Sequence, residues 1–109
     1  MPQRITDQTL RVLDALLEDP TKGRYGLELM ESTALLSGTA YPILHRLEDD
    51  GWLESRAEKI DPSDEGRPRR RLYQLTGLGE REAKALLETR RQAKQSHRLP
   101  LARQRKATA

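Results

Sequence analysis

The chain has 109 residues, 35% hydrophobic and 34% charged, enough for one small core that a second copy or partner would help to bury. It has no cysteine, which excludes disulfides, thiolate chemistry and cysteine zinc sites, and no apolar run of membrane-spanning length. The net charge of +3 is uneven: residues 1–89 carry 13 Lys/Arg against 17 Asp/Glu, whereas residues 90–109 carry seven Lys/Arg and no acid.

The opening MPQRITDQ lacks the apolar stretch of a secretory signal, so a soluble, cytoplasmic protein is the expectation. Thr6 is predicted to cap a first helix, with Asp7 placed to favour the helix dipole and Ile5 placed to pack on Leu10. Leu10, Leu13, Leu16 and Leu17 then recur at helical spacing, Val12 widens the stripe, and Pro20 ends it. So broad a stripe on a short helix suits burial on two sides.

Residues 20–24, PTKGR, read as a turn. A short second helix follows from Tyr25 to about Thr33, with Leu27, Leu29 and Met30 apolar. Gly26 weakens it intrinsically, so packing must hold it. Ser37 reads as the N-cap of a third helix that runs to Asp50 and stops at Gly51. Its buried stripe is Ala40, Ile43, Leu44 and Leu47, and its outward side carries Thr39, Tyr41, His45, Arg46, Asp49 and Asp50. Pro42 fits near the first turn, so the helix is expected to begin between Ser37 and Thr39.

Residues 53–60, LESRAEKI, and 69–75, RRRLYQL, are predicted strands of a hairpin, with Trp52 as core at its base. In the second strand Arg71, Tyr73 and Leu75 share one face. The intervening DPSDEGRP is expected to hold no regular element. Thr76 caps a last helix with Leu78, Ala83, Ala85, Leu86 and Leu87 apolar, running to about His97 and stopped by Pro100. Residues 99–109 are expected to be a basic, disordered tail.

The predicted fold class is mainly α with a small β-hairpin: a winged helix-turn-helix with an additional C-terminal dimerisation helix. The winged helix-turn-helix spans 1–76 and the dimerisation helix 77–98. In such a layout two helices hold a third, whose N-terminal turn and outer face reach base edges, while the hairpin loop reaches the neighbouring backbone. Arg67, Arg69 and Arg70 supply the charge a wing needs, and arginine outnumbers lysine 15 to 5, which favours forked phosphate or guanine contacts. The small polar start Ser37, Gly38, Thr39 lets free N–H groups approach a phosphate.

The run YGLELMESTALLSGTAYPILHRLEDDGWLES, residues 25–55, and its continuation EGRPRRRLYQLTGLGEREAKALL, residues 65–87, resemble the PadR family of transcriptional regulators. Tyr25-Gly26, Glu28-Leu29, Gly38 to Leu44, Arg46-Leu47-Glu48, Gly51-Trp52-Leu53, Tyr73, Leu75-Thr76 and Gly79 carry the likeness. The resemblance implies a homodimeric repressor of a nearby efflux or detoxification gene, bound to a palindromic operator in double-stranded DNA. It implies release by a small hydrophobic or phenolic inducer. The residues themselves argue against an enzyme, with no cysteine, two histidines and no phosphate-cradling glycine loop, and no cofactor or membrane partner is expected. The DNA-binding residues expected on that basis are Tyr25, Ser37, Gly38, Thr39, Tyr41, His45, Arg46, Arg67, Arg69 and Arg70. Dimerisation is expected through Leu10, Leu13, Leu17, Leu78, Leu86 and Leu87. The last helix has no aromatic residue, which departs from a flat drug-stacking site.

Each assignment has a plainer rival. Tyr25, Tyr41 and Trp52 suit a core, Thr39 suits a cap, and Arg46 suits a pair with Asp50. The rival function is a winged-helix module that docks on a protein or binds nucleic acid without sequence preference.

Overall fold

The computed structural model describes residues 5–108, with side chains as far as Gln95. Its elements in chain order are α1 (Asp7–Leu17), β1 (Arg24–Tyr25), α2 (Gly26–Thr33), α3 (Ser37–Asp49), β2 (Leu53–Ala57), α4 (Pro62–Glu65), β3 (Arg71–Leu75) and α5 (Gly77–Thr108). This is a winged helix-turn-helix, mainly helical, with one small sheet.

Leucine periodicity builds the core. Val12, Leu13 and Leu16 of α1, Leu29 of α2, and Ile43, Leu44 and Leu47 of α3 are all buried together. Leu53 and Leu75 close the sheet side, and Ala83 lets α5 approach closely. Thr6 caps α1 as expected, its hydroxyl accepting from the Thr9 N–H at 3.1 Å. Trp52 packs against the core, half-buried at the base of the wing.

Four local expectations are corrected. The PTKGR turn ends in β1, a third strand that pairs antiparallel with β3, Arg24 opposite Tyr73 and Tyr25 opposite Leu72. The sheet order is therefore β1-β3-β2 rather than a lone hairpin. The wing loop does hold a regular element, the single turn α4, because Asp61 caps Ser63 at 2.9 Å and Pro62 occupies the first turn. The N-cap of α3 is Leu36, not Ser37, and no side chain caps that end. Pro42 thus lies beyond the first turn, where its missing N–H leaves the Gly38 carbonyl without its usual helical partner. Finally, the backbone of α5 is helical past Pro100 to Thr108, where the sequence reading places a stop and a disordered tail. The side chains of that tail lie outside the described residues.

The corner between α3 and the wing is tightly specified. Gly51 takes φ +79°, and the Trp52 N–H reaches back to the Leu47 carbonyl at 2.9 Å while the Gly51 N–H reaches Glu48 at 3.0 Å. These two bonds satisfy the last carbonyls of the helix and need a residue that tolerates the left-handed region. Thr76 then stitches the start of α5 to the same corner. Its hydroxyl donates to the Gly51 carbonyl at 2.7 Å and its N–H to the Trp52 carbonyl at 3.0 Å. The same hydroxyl accepts from the Gly79 N–H at 3.0 Å. Gly79 lies so close to the Trp52 backbone that any Cβ there would collide with it.

Gly79→Ala is expected to destabilise the fold by about 3 kcal/mol, the upper range for overpacking against an element that cannot move. Gly77→Ala is the control, since its new methyl would meet only the end of Arg81 at 3.6 Å. Urea unfolding of both variants checks this. Equal midpoints would contradict the close approach.

Candidate nucleic-acid interface

The outer face of α3 presents Ser37, Gly38, His45 and Arg46 to solvent, with Thr39 and Tyr41 half-buried at its edge. No side chain caps the first N–H groups of α3; those of Thr39 and Ala40 turn back to the Leu36 carbonyl at 3.0 and 2.9 Å, and the end of the helix at Ser37 and Gly38 faces solvent. Tyr41 leans toward the start of α2, where a Cβ on Gly26 would come within 2.7 Å of its hydroxyl. An open cleft of about 210 Å³ separates this tyrosine from Tyr25, Arg70 and Arg71.

The far end of α3 is tied to the sheet. Ser55 donates to the Glu48 carboxylate at 2.6 Å, and Arg71 donates to the Ser55 hydroxyl at 2.9 Å. One chain of contacts thus links α3, β2 and β3 and fixes the angle between helix and wing.

The wing itself is held by Glu58, whose carboxylate is only 9% exposed. Arg67 grips both its oxygens, at 2.7 and 3.0 Å. The Tyr25 hydroxyl donates to it at 2.6 Å and the Arg70 N–H at 3.2 Å. The Arg67 and Tyr25 hydrogen bonds hold the Glu58 carboxyl at about 2, below its ordinary 4.5. The same carboxylate, by holding the tyrosine proton, raises the Tyr25 phenol. Above the clamp, the Arg70 guanidinium lies 5.0 Å from the centre of the Tyr25 ring.

Two of the expected contacts, Tyr25 and Arg67, therefore change character. Tyr25 spends its hydroxyl proton on Glu58 and supports the wing from β1. Arg67 is half-buried in the same clamp. Arg69 and Arg70 are exposed, Arg69 with its Nε on the Ile60 carbonyl at 3.0 Å. The tip of the loop is acidic, with Asp61, Asp64 and Glu65 exposed, so the basic surface is the edge carrying Arg69 and Arg70, not the tip. Sequence reasoning missed Glu58. Its signal was an acid at the end of a strand facing four arginines across the loop.

The expected dimerisation set also divides. Leu13 is 0% exposed and belongs to the core of the single chain, which corrects its assignment to an interface. Leu10, Leu17, Leu86 and Leu87 are half-buried, and Leu78 is 42% exposed at the start of α5. Leu10, Leu17 and Leu87 line two open clefts between α1 and α5, of about 320 and 530 Å³, with Arg90 and Lys94. Asp7 pairs with Arg90 across this seam, and that contact holds its carboxyl below the usual range.

The profile of the transcriptional regulator PadR-like family matches residues 12–85, from the middle of α1 to the first turns of α5. The chain belongs to the PadR-like family of transcriptional regulators. No curated protein sequence matches it. Among solved structures it is similar to a PadR-like transcription factor from Bacteroides fragilis, at 21% identity and TM-score 0.67, covering 83% of this chain and 85% of that one. It is similar to the PcaV transcriptional regulator from Streptomyces coelicolor in complex with its natural ligand, at 24% identity and TM-score 0.73, covering 90% and 64%. It is also similar to the Staphylococcus aureus MepR–DNA complex, at 17% identity and TM-score 0.65, covering 87% and 72%. The chain spans less than two thirds of the length of PcaV. At these identities the structures share the fold. No helix among the described residues is long and apolar enough to cross a membrane.

The clamp of this PadR-like protein titrates in acid. Because the folded Glu58 carboxyl is depressed, its contribution is complete above pH 4.5 and is lost as the pH falls toward about 2. Glu58→Gln is expected to melt below the wild type at pH 7, with the gap closing toward pH 2. A gap that does not change with pH would contradict a charged clamp.

Proposed function

We propose that the protein is a homodimeric repressor that binds a palindromic operator beside a nearby gene. The observation that carries this is the exposed, uncapped face of α3, set at a fixed angle to the Arg69–Arg70 edge of a wing. Arginines on the wing would hold the backbone while side chains of α3 read the major groove. Ser37, Gly38, Thr39, Tyr41, His45 and Arg46 are the contacts this reading assigns on the helix side. Tyr25 and Arg67 act as supports of the wing.

The leucines along the open seam between α1 and α5 support pairing of two chains through Leu10, Leu17, Leu86 and Leu87, with Leu78 at the rim. Two recognition helices would then face successive major grooves about 34 Å apart. The regulated gene on this reading serves efflux or detoxification. The inducer is a small hydrophobic or phenolic molecule, a role that PcaV's bound natural ligand supports by analogy of fold. The basic residues beyond that seam, Arg98, Arg103, Arg105 and Lys106, add affinity for any DNA.

Thr39→Ala and Tyr41→Phe are each expected to weaken operator binding about tenfold, the loss of one hydrogen bond to a charged group, with the dimer intact in sedimentation. Leu17→Glu with Leu87→Glu is expected to yield monomers and to reduce operator binding far more than binding to scrambled DNA. Thr39 and Tyr41 variants that bind unchanged would reject this face. Equal weakening on every duplex would favour an architectural module instead.

A further inference from the structure

The segment between α2 and α3 handles its two leucines in opposite ways. Leu35 is buried in the core, whereas Leu36 is 81% exposed, the most open large apolar side chain among the described residues. Ala34 takes the left-handed conformation, φ 61° and ψ 28°, so the turn gives up the glycine that fits such a position. Leu36 then occupies the N-cap of α3 and makes no capping hydrogen bond, although Ser37 stands one position later. A serine or aspartate at this N-cap would stabilise the helix by satisfying one of its free N–H groups. A leucine does nothing for the fold there, and its exposure works against it. Both departures lie at the end of α3 that the proposed function aims at base edges. Next to Leu36 the surface is open, since a Cβ on Gly38 would meet nothing within 4 Å.

We propose that Leu36 is a specificity-determining residue that takes the 5-methyl group of a thymine in the major groove. The reasoning rests on the reading of α3 as a recognition helix. Among the groups that base pairs display in that groove, the thymine methyl is the apolar one, and the others are hydrogen-bond donors and acceptors. A phosphate offers leucine nothing, so an apolar side chain at this position gains only from the methyl.

An operator selected by the wild-type protein from a randomised duplex pool provides the test. Each thymine of one half-site is replaced in turn by deoxyuridine, which removes one methyl and leaves the pairing intact. One replacement is expected to weaken wild-type binding about fourfold, the equivalent of one buried methyl group. The same replacement is expected to leave Leu36→Ala unaffected, and that variant should bind the thymine operator about tenfold more weakly than wild type. Leu36→Ser, which supplies a capping hydroxyl, should melt no lower than wild type yet bind as weakly as Leu36→Ala. That combination separates recognition from folding.

Three results would overturn the proposal. Uracil could act alike in wild type and variant, both proteins could bind equally well, or Leu36→Ala could change sedimentation and so place the residue between subunits. If Thr39→Ala still weakens binding in those cases, only the leucine assignment falls. If the wild type selects no sequence at all, the proposed function falls and this inference with it.

Discussion

Glu58 sets the geometry on which the wing depends. A buried carboxylate is costly unless its oxygens are paired, and here they meet a guanidinium, a phenol and a backbone N–H. Those partners come from β1 and from the end of the wing loop that leads into β3, while Glu58 itself follows β2, so one charge joins three segments. The arrangement also decides which arginines remain for a ligand. Arg67 is consumed by the clamp, Arg71 is directed to Ser55, and Arg69 and Arg70 are left as the exposed basic edge.

Helix α3 is fixed by a second, independent set of contacts. Glu48 and Ser55 tie its last turns to β2, and the Gly51–Trp52 corner is held by Thr76 from the start of α5. Because Gly79 rests on the Trp52 backbone, the long helix begins where the corner ends. A shift of α5 against α1 would therefore be felt at the base of both α3 and the wing. The coupling is short, from one glycine contact to one helix cap, and it joins the leucine seam to the surface proposed to meet DNA.

Much of this was legible in the sequence. The leucine stripes placed α1, α3 and the start of α5, Thr6 and Thr76 announced two caps, and Gly51 marked the end of α3. The dispersed match around Tyr41-Pro42 and Gly51-Trp52-Leu53 gave the family. Other features were hidden for physical reasons. A two-residue strand such as β1 has no periodicity to detect, and its pairing depends on β3, nearly fifty residues later. Periodicity also cannot separate Leu13, which faces inward, from Leu10 and Leu17 beside it, because the stripe serves two surfaces. Ser37 resembles a cap by chemistry, yet the helix starts one residue earlier. Tyr25 and Arg67 look like contacts in one dimension, and only the fold brings Glu58 between them.

The central claim is that these rigidly placed elements read a DNA sequence. Its most direct test is the ratio of affinities for the protein's own upstream region and for scrambled DNA of equal length, measured by gel shift at near-physiological salt. The account predicts selective retention, with a ratio on the order of 10³ or more. Equal, weak retention of both duplexes that falls steeply with salt would contradict it, because phosphate attraction alone would then explain the binding.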